Sequence, residues 1–243
     1  RLVLTCAGEM NGADLLPAGC EEIAIDSELY RQAAAPGEDL SAPPALEAGA
    51  VAWLFYTSGT TGRPKGVMLS HGNLLAMAMA YTMDVDHIAP GDHSLYAAPM
   101  SHGAGLYALP FIRAGAAHVI PASGGFDPAE IIALAGDLGG LCFFAAPTMI
   151  KRLVTAAKGS GYRGEGIRTI VYGGGPMYGA DIDEALAQFG PRFVQIYGQG
   201  ETPMTITALP RDLVADDSHP DWRARRDSVG FAQAPVEVRI IGD

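Results

Sequence analysis

The sequence predicts an α/β fold, parallel β-sheets covered by helices, on three observations. Short apolar runs recur along the chain, among them VAWLFY at 51–56, LCFFA at 141–145, RTIVY at 168–172 and FVQIY at 193–197. Strands buried on both faces read as near-continuous runs of this kind, whereas half-exposed strands alternate. Stretches with apolar residues at helical spacing separate these runs, and 31 glycines in 243 residues supply the turns between them.

Taken in order, LVLT at 2–5 and EIAID at 22–26 read as short strands, followed by a brief helix at 27–34. Residues 35–49 are rich in proline and glycine without periodicity and read as an exposed connector. VAWLFY then forms a buried strand that delivers its end into the loop YTSGTTGRPKG at 56–66, and GVMLS at 66–70 returns from it. Ser70 caps a helix reaching about Met83, with Leu74, Leu75, Ala78 and Met79 on its buried face; Met77, Met79 and Met83 read as core filling.

SLYAAP at 94–99 leads into PMSHGAGLY, and HVIP at 118–121 is another strand. Asp127 and Pro128 are a cap and first-turn proline for a helix with Ile131, Ile132 and Ala135 inward. After LCFFA, Pro147 opens a helix in which Ile150, Leu153, Val154 and Ala157 recur until Gly159 stops it. RTIVY precedes a helix with a capping box of Asp181 and Glu184 that ends at Gly190, and FVQIY follows. Residues 211–228 read as a solvated loop, and VEVRII as a last strand.

Composition excludes several classes. At 49% hydrophobic and 18% charged the chain is globular, and a net charge of −11 offers no basic face for nucleic acid. Cys6, Cys20 and Cys142 are odd in number and form no CxxC pair, which argues against a disulfide framework or a zinc site and for a reducing, cytoplasmic home. No apolar run is long enough to cross a bilayer. The chain opens at Arg1 without a leader pattern, which reads as a piece of something longer.

The chemistry concentrates in loops at strand ends, where ligands gather in open α/β sheets. In the loop at 56–66, Gly59, Gly62 and Gly66 free the backbone, Thr57, Ser58, Thr60 and Thr61 supply hydroxyl and N–H donors, and Arg63 and Lys65 add positive charge. Successive N–H groups of this kind cup an anion, so a polyphosphate is the expected ligand. The spacing is not that of the GxxxxGK nucleotide loop, because Lys65 follows Pro64 and precedes Gly66. GGGPM at 173–177 follows a strand and exposes the backbone of Gly173, Gly174 and Gly175 ahead of Pro176, a surface for a flat ring or simply a tight turn. YGQGET at 197–202 leaves a third strand end.

YTSGTTGRPKG followed by VMLSH resembles the signature loop of the adenylate-forming superfamily, which contains acyl-CoA synthetases, firefly-type luciferases and peptide-synthetase adenylation domains. The resemblance implies ATP-dependent activation of a carboxylic acid as acyl-adenylate, then thioester formation with coenzyme A. By that resemblance Thr57, Ser58, Gly59, Thr60, Thr61, Gly62 and Lys65 hold the β- and γ-phosphates. Gly173, Gly174, Gly175 and Pro176 line the adenine and acyl pockets. YGQGET matches the family's Tyr-Gly-x-Thr-Glu motif, in which the ring of Tyr197 stacks on adenine beside Gly198 and Gln199, and Glu201 helps hold Mg2+. His102 of PMSHGAG corresponds to a histidine near the acyl group. Lys65, His102 and Glu201 are therefore the implied catalytic set, with none a covalent nucleophile.

Two positions depart from the pattern. Gly200 stands where the family has threonine, leaving Thr202 to supply a hydroxyl, and Phe231 stands where arginine is usual. The resemblance covers most of 51–243, implying a central part of the large domain, with the carboxy-terminal domain and its lysine lying elsewhere; the chain alone is expected to be inactive or weakly active. No carboxylate appears between Pro99 and Pro110 to pair with a substrate ammonium, so a simple acid, fatty or aryl, fits better than an amino acid. A non-catalytic nucleotide-binding module and a peptide-synthetase adenylation domain are the alternative readings.

Overall fold

The computed structural model describes residues 2–5, 21–35, 45–57 and 64–242. The chain divides into two compact units, Arg1–Ala45 and Leu46–Asp243. In the first unit β1 (Leu2–Thr5) pairs in parallel with β2 (Glu21–Ala24), and α1 (Glu28–Ala34) follows. Ser27 caps α1, its hydroxyl accepting from the Tyr30 N–H at 3.1 Å. The second strand ends two residues before the expected position because Ser27 N–H donates to Ala24 C=O at 2.9 Å and closes a turn.

The second unit opens with a hairpin. β3 (Val51–Thr57) and β4 (Lys65–Ser70) pair antiparallel, with Leu54 opposite Met68 and Thr57 opposite Lys65. α2 (His71–Ala80) follows, capped by Ser70 in a box with Asn73, and passes into a single π-helical turn, Tyr81–Val85, closed by Asp86 N–H on Tyr81 C=O. Then come β5 (His93–Leu95), α3 (Gly103–Leu106), α4 (Ala108–Ala114), β6 (Ala117–Val119), α5 (Pro128–Leu138) and β7 (Leu141–Ala145). α6 (Pro147–Ser160), β8 (Ile167–Tyr172), α7 (Gly179–Phe189) and β9 (Phe193–Tyr197) continue the alternation. β10 (Thr207–Leu209), α8 (Arg211–Ala215), α9 (Trp222–Arg226) and β11 (Phe231–Ala232) complete it.

The seven-stranded sheet has the order β11-β10-β9-β8-β7-β5-β6. β6, β5, β7, β8 and β9 are parallel; β10 and β11 are antiparallel at one edge. The order reverses between β5 and β7, which makes their carboxyl ends a topological switch point. Successive residues of β7 serve opposite faces, as the two-residue period of a strand requires. Leu141, Phe143 and Ala145 pack with Ile131, Ile150, Leu153, Ile182 and Phe189, whereas Cys142 and Phe144 pack with Met77, Tyr81, Leu106, Tyr107 and Phe111. Each fully buried Leu, Ile or Phe contributes about 1.5–3 kcal/mol by leaving water. Burial also pushes the Cys142 thiol up to about 12, so it is an inert core residue.

Several expectations are corrected. The strand at 51–56 is not buried on both faces: Phe55 is buried, but Leu54 and Tyr56 are exposed, because its sheet has two strands and only one packed face. Met77 is core, but Leu75, Met79 and Met83 are exposed, since α2 turns only the face containing Met77, Ala78 and Ala80 inward. Gly159 lies within α6, which stops at Gly161 with φ +75°, a left-handed cap that glycine adopts without strain.

α7 begins at Gly179, so Asp181 sits in its first turn and pairs with Lys151 at 3.0 Å instead of capping, and Glu184 pairs with Lys158. Residues 211–228 are not a solvated loop. Val214 is buried, and Arg226 is buried under Trp222, 4.4 Å from its ring, and bonded to Asp183 at 2.5 Å. Residues 236–241 form no strand; the last pairing is that of β11.

Candidate functional site

Two close backbone approaches, each requiring a glycine, build a cleft at the carboxyl ends of β8 and β9. Where β8 ends, a Cβ on Gly173 would lie 2.6 Å from the Ile196 carbonyl oxygen, so only glycine lets this loop lie against β9. Gly174 follows with φ +76°, and a Cβ on Gly175 would meet nothing nearer than the Pro147 ring at 4.0 Å. Where β9 ends, a Cβ on Gly198 would lie 2.5 Å from the Cα of Met204. The loop doubles back there: Gln199 N–H donates to Thr202 C=O at 3.2 Å and Ile206 N–H to Tyr197 C=O at 3.0 Å. The resulting cleft, about 460 Å³, is lined by Gly174, Gly175, Pro176, Tyr197 and Gly198, with Asp227 and Val229 closing one side.

Tyr197 is half-exposed at the rim, and the Gln199 side-chain amide donates to its hydroxyl at 3.2 Å. An aromatic face beside bare glycine backbone suits a planar heterocycle. Glu201 is exposed next to this rim with no ion-pair partner among the described residues, and Thr202 is half-buried behind it.

Met204 ties the remaining segments together. It is the one described non-glycine residue with positive φ, 61°, and it is buried. Gln233, itself buried, holds that conformation by donating from Nε2 to the carbonyls of Met204 at 2.9 Å and Thr207 at 3.0 Å. Such strain persists only where its surroundings over-determine it. The Met204 sulfur sits where a Cβ on Gly103 would meet it at 2.5 Å, which brings the His102 loop to the back of the 197–204 loop. His102 is exposed at the start of α3, its Nδ1 3.0 Å from Ser101 Oγ.

From the hairpin, Thr57 Cγ2 and the Phe55 ring lie 2.7 Å and 3.0 Å from the position a Cβ on Gly200 would take. Thr57 in turn pairs with Lys65, which is exposed at the start of β4. The structure thus brings together the segments bearing Thr57, Lys65, His102, Gly173–Pro176, Tyr197–Gln199, Glu201 and Thr202. Ser58, Gly59, Thr60, Thr61 and Gly62 lie outside the described residues. Sequence reasoning missed Met204, Gln233 and Asp227; nothing in the string marks the first two, because their role depends on a backbone conformation and a non-local hydrogen bond.

The geometry also accounts for Gly200. Its neighbours leave no space for a β-carbon unless the side chains of Thr57 and Phe55 shift. Gly200→Thr is therefore expected to lower stability by about 1–3 kcal/mol and to weaken nucleotide binding, measured by thermal melting and titration with AMP. A gain in affinity would show that the loop had room for the hydroxyl.

Among the described residues no group of three or more His, Cys, Asp or Glu side chains is placed to hold a metal. Glu201 alone fits Mg2+ in the manner that cation uses most with nucleotides, one carboxylate completed by phosphate oxygens and water.

A parallel sheet whose carboxyl-end loops leave bare glycine backbone beside an aromatic rim is an α/β architecture with its cleft where open α/β sheets bind ligands. The family model described as AMP-binding enzyme matches residues 5–243, and the chain belongs to that family. It is 32% identical over 207 residues to a feruloyl-CoA synthase of an Amycolatopsis species, covering 82% of this chain and 39% of that protein. It is 30% identical over 158 residues to a medium/long-chain-fatty-acid–CoA ligase of Mycobacterium tuberculosis, covering 65% of this chain and 27% of the other. The fold superposes on ATP-bound MatB from Rhodopseudomonas palustris with a TM-score of 0.68 at 28% identity, over 88% of this chain and 40% of that one. The chain spans about two fifths of the length of the feruloyl-CoA synthase and of MatB. No described helix is long and apolar enough to cross a membrane.

Proposed function

We propose that this chain forms the nucleotide- and acid-binding part of an acid–thiol ligase that uses ATP to activate a carboxylic acid as acyl-adenylate and passes the acyl group to coenzyme A. The observation that carries the reading is the meeting of four segments at the end of β9: the loop after β8 lies against Ile196, the hairpin end with Thr57 against Gly200, and the start of the His102 loop against Met204 of the loop after β9. Adenine stacks on Tyr197 against the backbone of Gly173, Gly174, Gly175 and Pro176. The loop through Ser58–Gly62 with Lys65 takes the triphosphate tail, and His102 lies beside the acid.

The chemistry follows from charge. The acid's carboxylate oxygen attacks the α-phosphorus, the bond to the bridging oxygen breaks, and pyrophosphate leaves with the electron pair. Negative charge growing on the phosphate oxygens must be met by donors already in place, and a Lys ammonium with a row of N–H groups supplies them. Mg2+ bound at Glu201 would neutralise part of the same charge. A fatty or aryl acid fits the similarity to fatty-acid and feruloyl ligases and the absence of a carboxylate between Pro99 and Pro110. The chain is read as part of the family's large domain, acting in the cytoplasm, with the activity belonging to the longer protein.

Calorimetric titration tests this. Binding of MgATP, and tighter binding of a non-hydrolysable acyl-sulfamoyl adenosine, is the expected result. Equal affinity for that mimic and for AMP would contradict an acid pocket built within these residues.

A further inference from the structure

One wall of the cleft at the ends of β8 and β9 carries an unengaged carboxylate. Among the described residues lining that cleft, the polar side chains are Gln195, Tyr197 and Asp227. Gln195 already accepts at Oε1 from the buried Tyr172 hydroxyl at 3.3 Å, and the Tyr197 hydroxyl accepts from Gln199 Nε2 at 3.2 Å. Asp227 makes no side-chain hydrogen bond or ion pair among the described residues; the guanidinium of Arg226 beside it goes to Asp183 and to Val214 C=O instead. Asp227 is thus the free acceptor of the cleft.

The backbone fixes where this carboxylate stands. Asp227 closes the end of α9, its N–H donating to Arg223 C=O at 2.9 Å. Its Oδ1 lies 2.9 Å from where a Cβ on Gly179 would be, so the glycine that opens α7 leaves room for it. Tyr178, which caps α7, places no side-chain oxygen there, and the partial positive charge of a helix start favours an anion. A carboxylate repels phosphate oxygens. The hairpin end, where Thr57 pairs with Lys65, meets the other loop at Gly200, past Tyr197. A nucleotide lying in the cleft with its phosphates away from Asp227 turns the edge of its base toward it.

We infer that Asp227 reads the base: its carboxylate accepts a hydrogen bond from the exocyclic amine of adenine and makes the cleft selective for a purine with a donor at that position. This rests on the placement of adenosine proposed above and narrows it. Adenine presents its N6 amine as a donor, and a purine without that amine presents none. A hydrogen bond to an ionised acceptor is stronger than a neutral one, and a base that leaves the acceptor unpaired is discriminated against by that difference.

The test titrates AMP and purine riboside 5′-monophosphate, which lacks only the amine, into the native 243-residue chain, Asp227→Ala and Asp227→Asn. The native chain is expected to prefer AMP by about tenfold. Asp227→Ala is expected to reduce that preference to about twofold or less while binding the analogue as the native chain does, and Asp227→Asn, whose side-chain oxygen still accepts, to keep about three- to fivefold. Both variants are expected to melt with the native chain, because Asp227 is exposed and has no partner among the described residues to lose. Equal affinity of the native chain for the two nucleotides, or an undiminished preference in Asp227→Ala, overturns the inference. An equal loss of both nucleotides in Asp227→Ala overturns it too, by placing the carboxylate at the ribose; in each of these cases the adenosine reading stands. Failure of AMP to bind the native chain overturns that reading and this inference with it.

Discussion

Replacing Lys65 with alanine is expected to weaken MgATP by about 10- to 100-fold while changing AMP affinity by less than about threefold. Lys65 stands at the first position of β4, paired with Thr57 at the far end of the hairpin from Val51, and Thr57 packs against the Gly200 loop. A point charge 4 Å from a phosphate oxygen interacts with about 4 kcal/mol at an effective dielectric near 20. Exposure and salt reduce that to the range given. AMP has no β- or γ-phosphate and forgoes the contact. Calorimetric titration of both nucleotides measures the difference, and an equal loss for both would place Lys65 beside the adenosine instead. The chain's net charge of −11 does not alter this, because screening over about 8 Å leaves local groups in control.

The second large effect is expected from Gly198→Ala. The new methyl group would lie 2.5 Å from Met204 Cα and 2.8 Å from its amide nitrogen and carbonyl carbon, atoms of a backbone already held at φ 61° by Gln233. Backbone cannot rotate away as a flexible side chain does, so the loop must move as a unit. The expected result is loss of adenosine affinity by about 100-fold or more and destabilisation of about 2–4 kcal/mol, seen by titration with AMP and by chemical denaturation. Gly175→Ala in the neighbouring loop, whose nearest neighbour would be the Pro147 ring at 4.0 Å, is the matched control and should change both by little. If Gly198→Ala bound AMP normally, the close approach of Gly198 to Met204 would have no part in forming the site.

The sequence was most informative where one local rule decides the outcome. LCFFA and FVQIY form strands with the expected bounds because strands covered on both faces tolerate apolar residues at every position. The Asp127–Pro128 start of α5 came out as read, with Asp127 accepting from Ala129 and Glu130 N–H groups, because a cap is a contact between residues two or three apart. The hairpin strand has the same kind of apolar run and yet is half-exposed, because only the number of strands beside it separates the two cases.

Residues 211–228 look solvated by composition, yet Arg226 is buried because Asp183 and the Trp222 ring, 43 and four residues away, compensate its charge. Non-local partners of this kind leave no local mark. The same holds in the ion network under the sheet, where Arg211 bonds Asp86 at 2.7 Å across 125 residues and fixes the π-helical turn beneath β8. In the site itself, the glycines of GGGPM and YGQGET were legible as places of close backbone approach, while Met204 and Gln233, which shape the second loop, were not. Gly200 was legible only as a departure from a pattern; the contacts of Thr57 and Phe55 give it a packing reason.

We propose that adenosine occupies the cleft between the loops after β8 and β9. Photolabelling with 8-azidoadenosine monophosphate, followed by mass-spectrometric mapping of the modified peptide, tests it most directly. Label is expected on Tyr197 or within Gly173–Met177, suppressed by excess AMP. Label confined to any other part of the chain, with the same suppression by AMP, would contradict it.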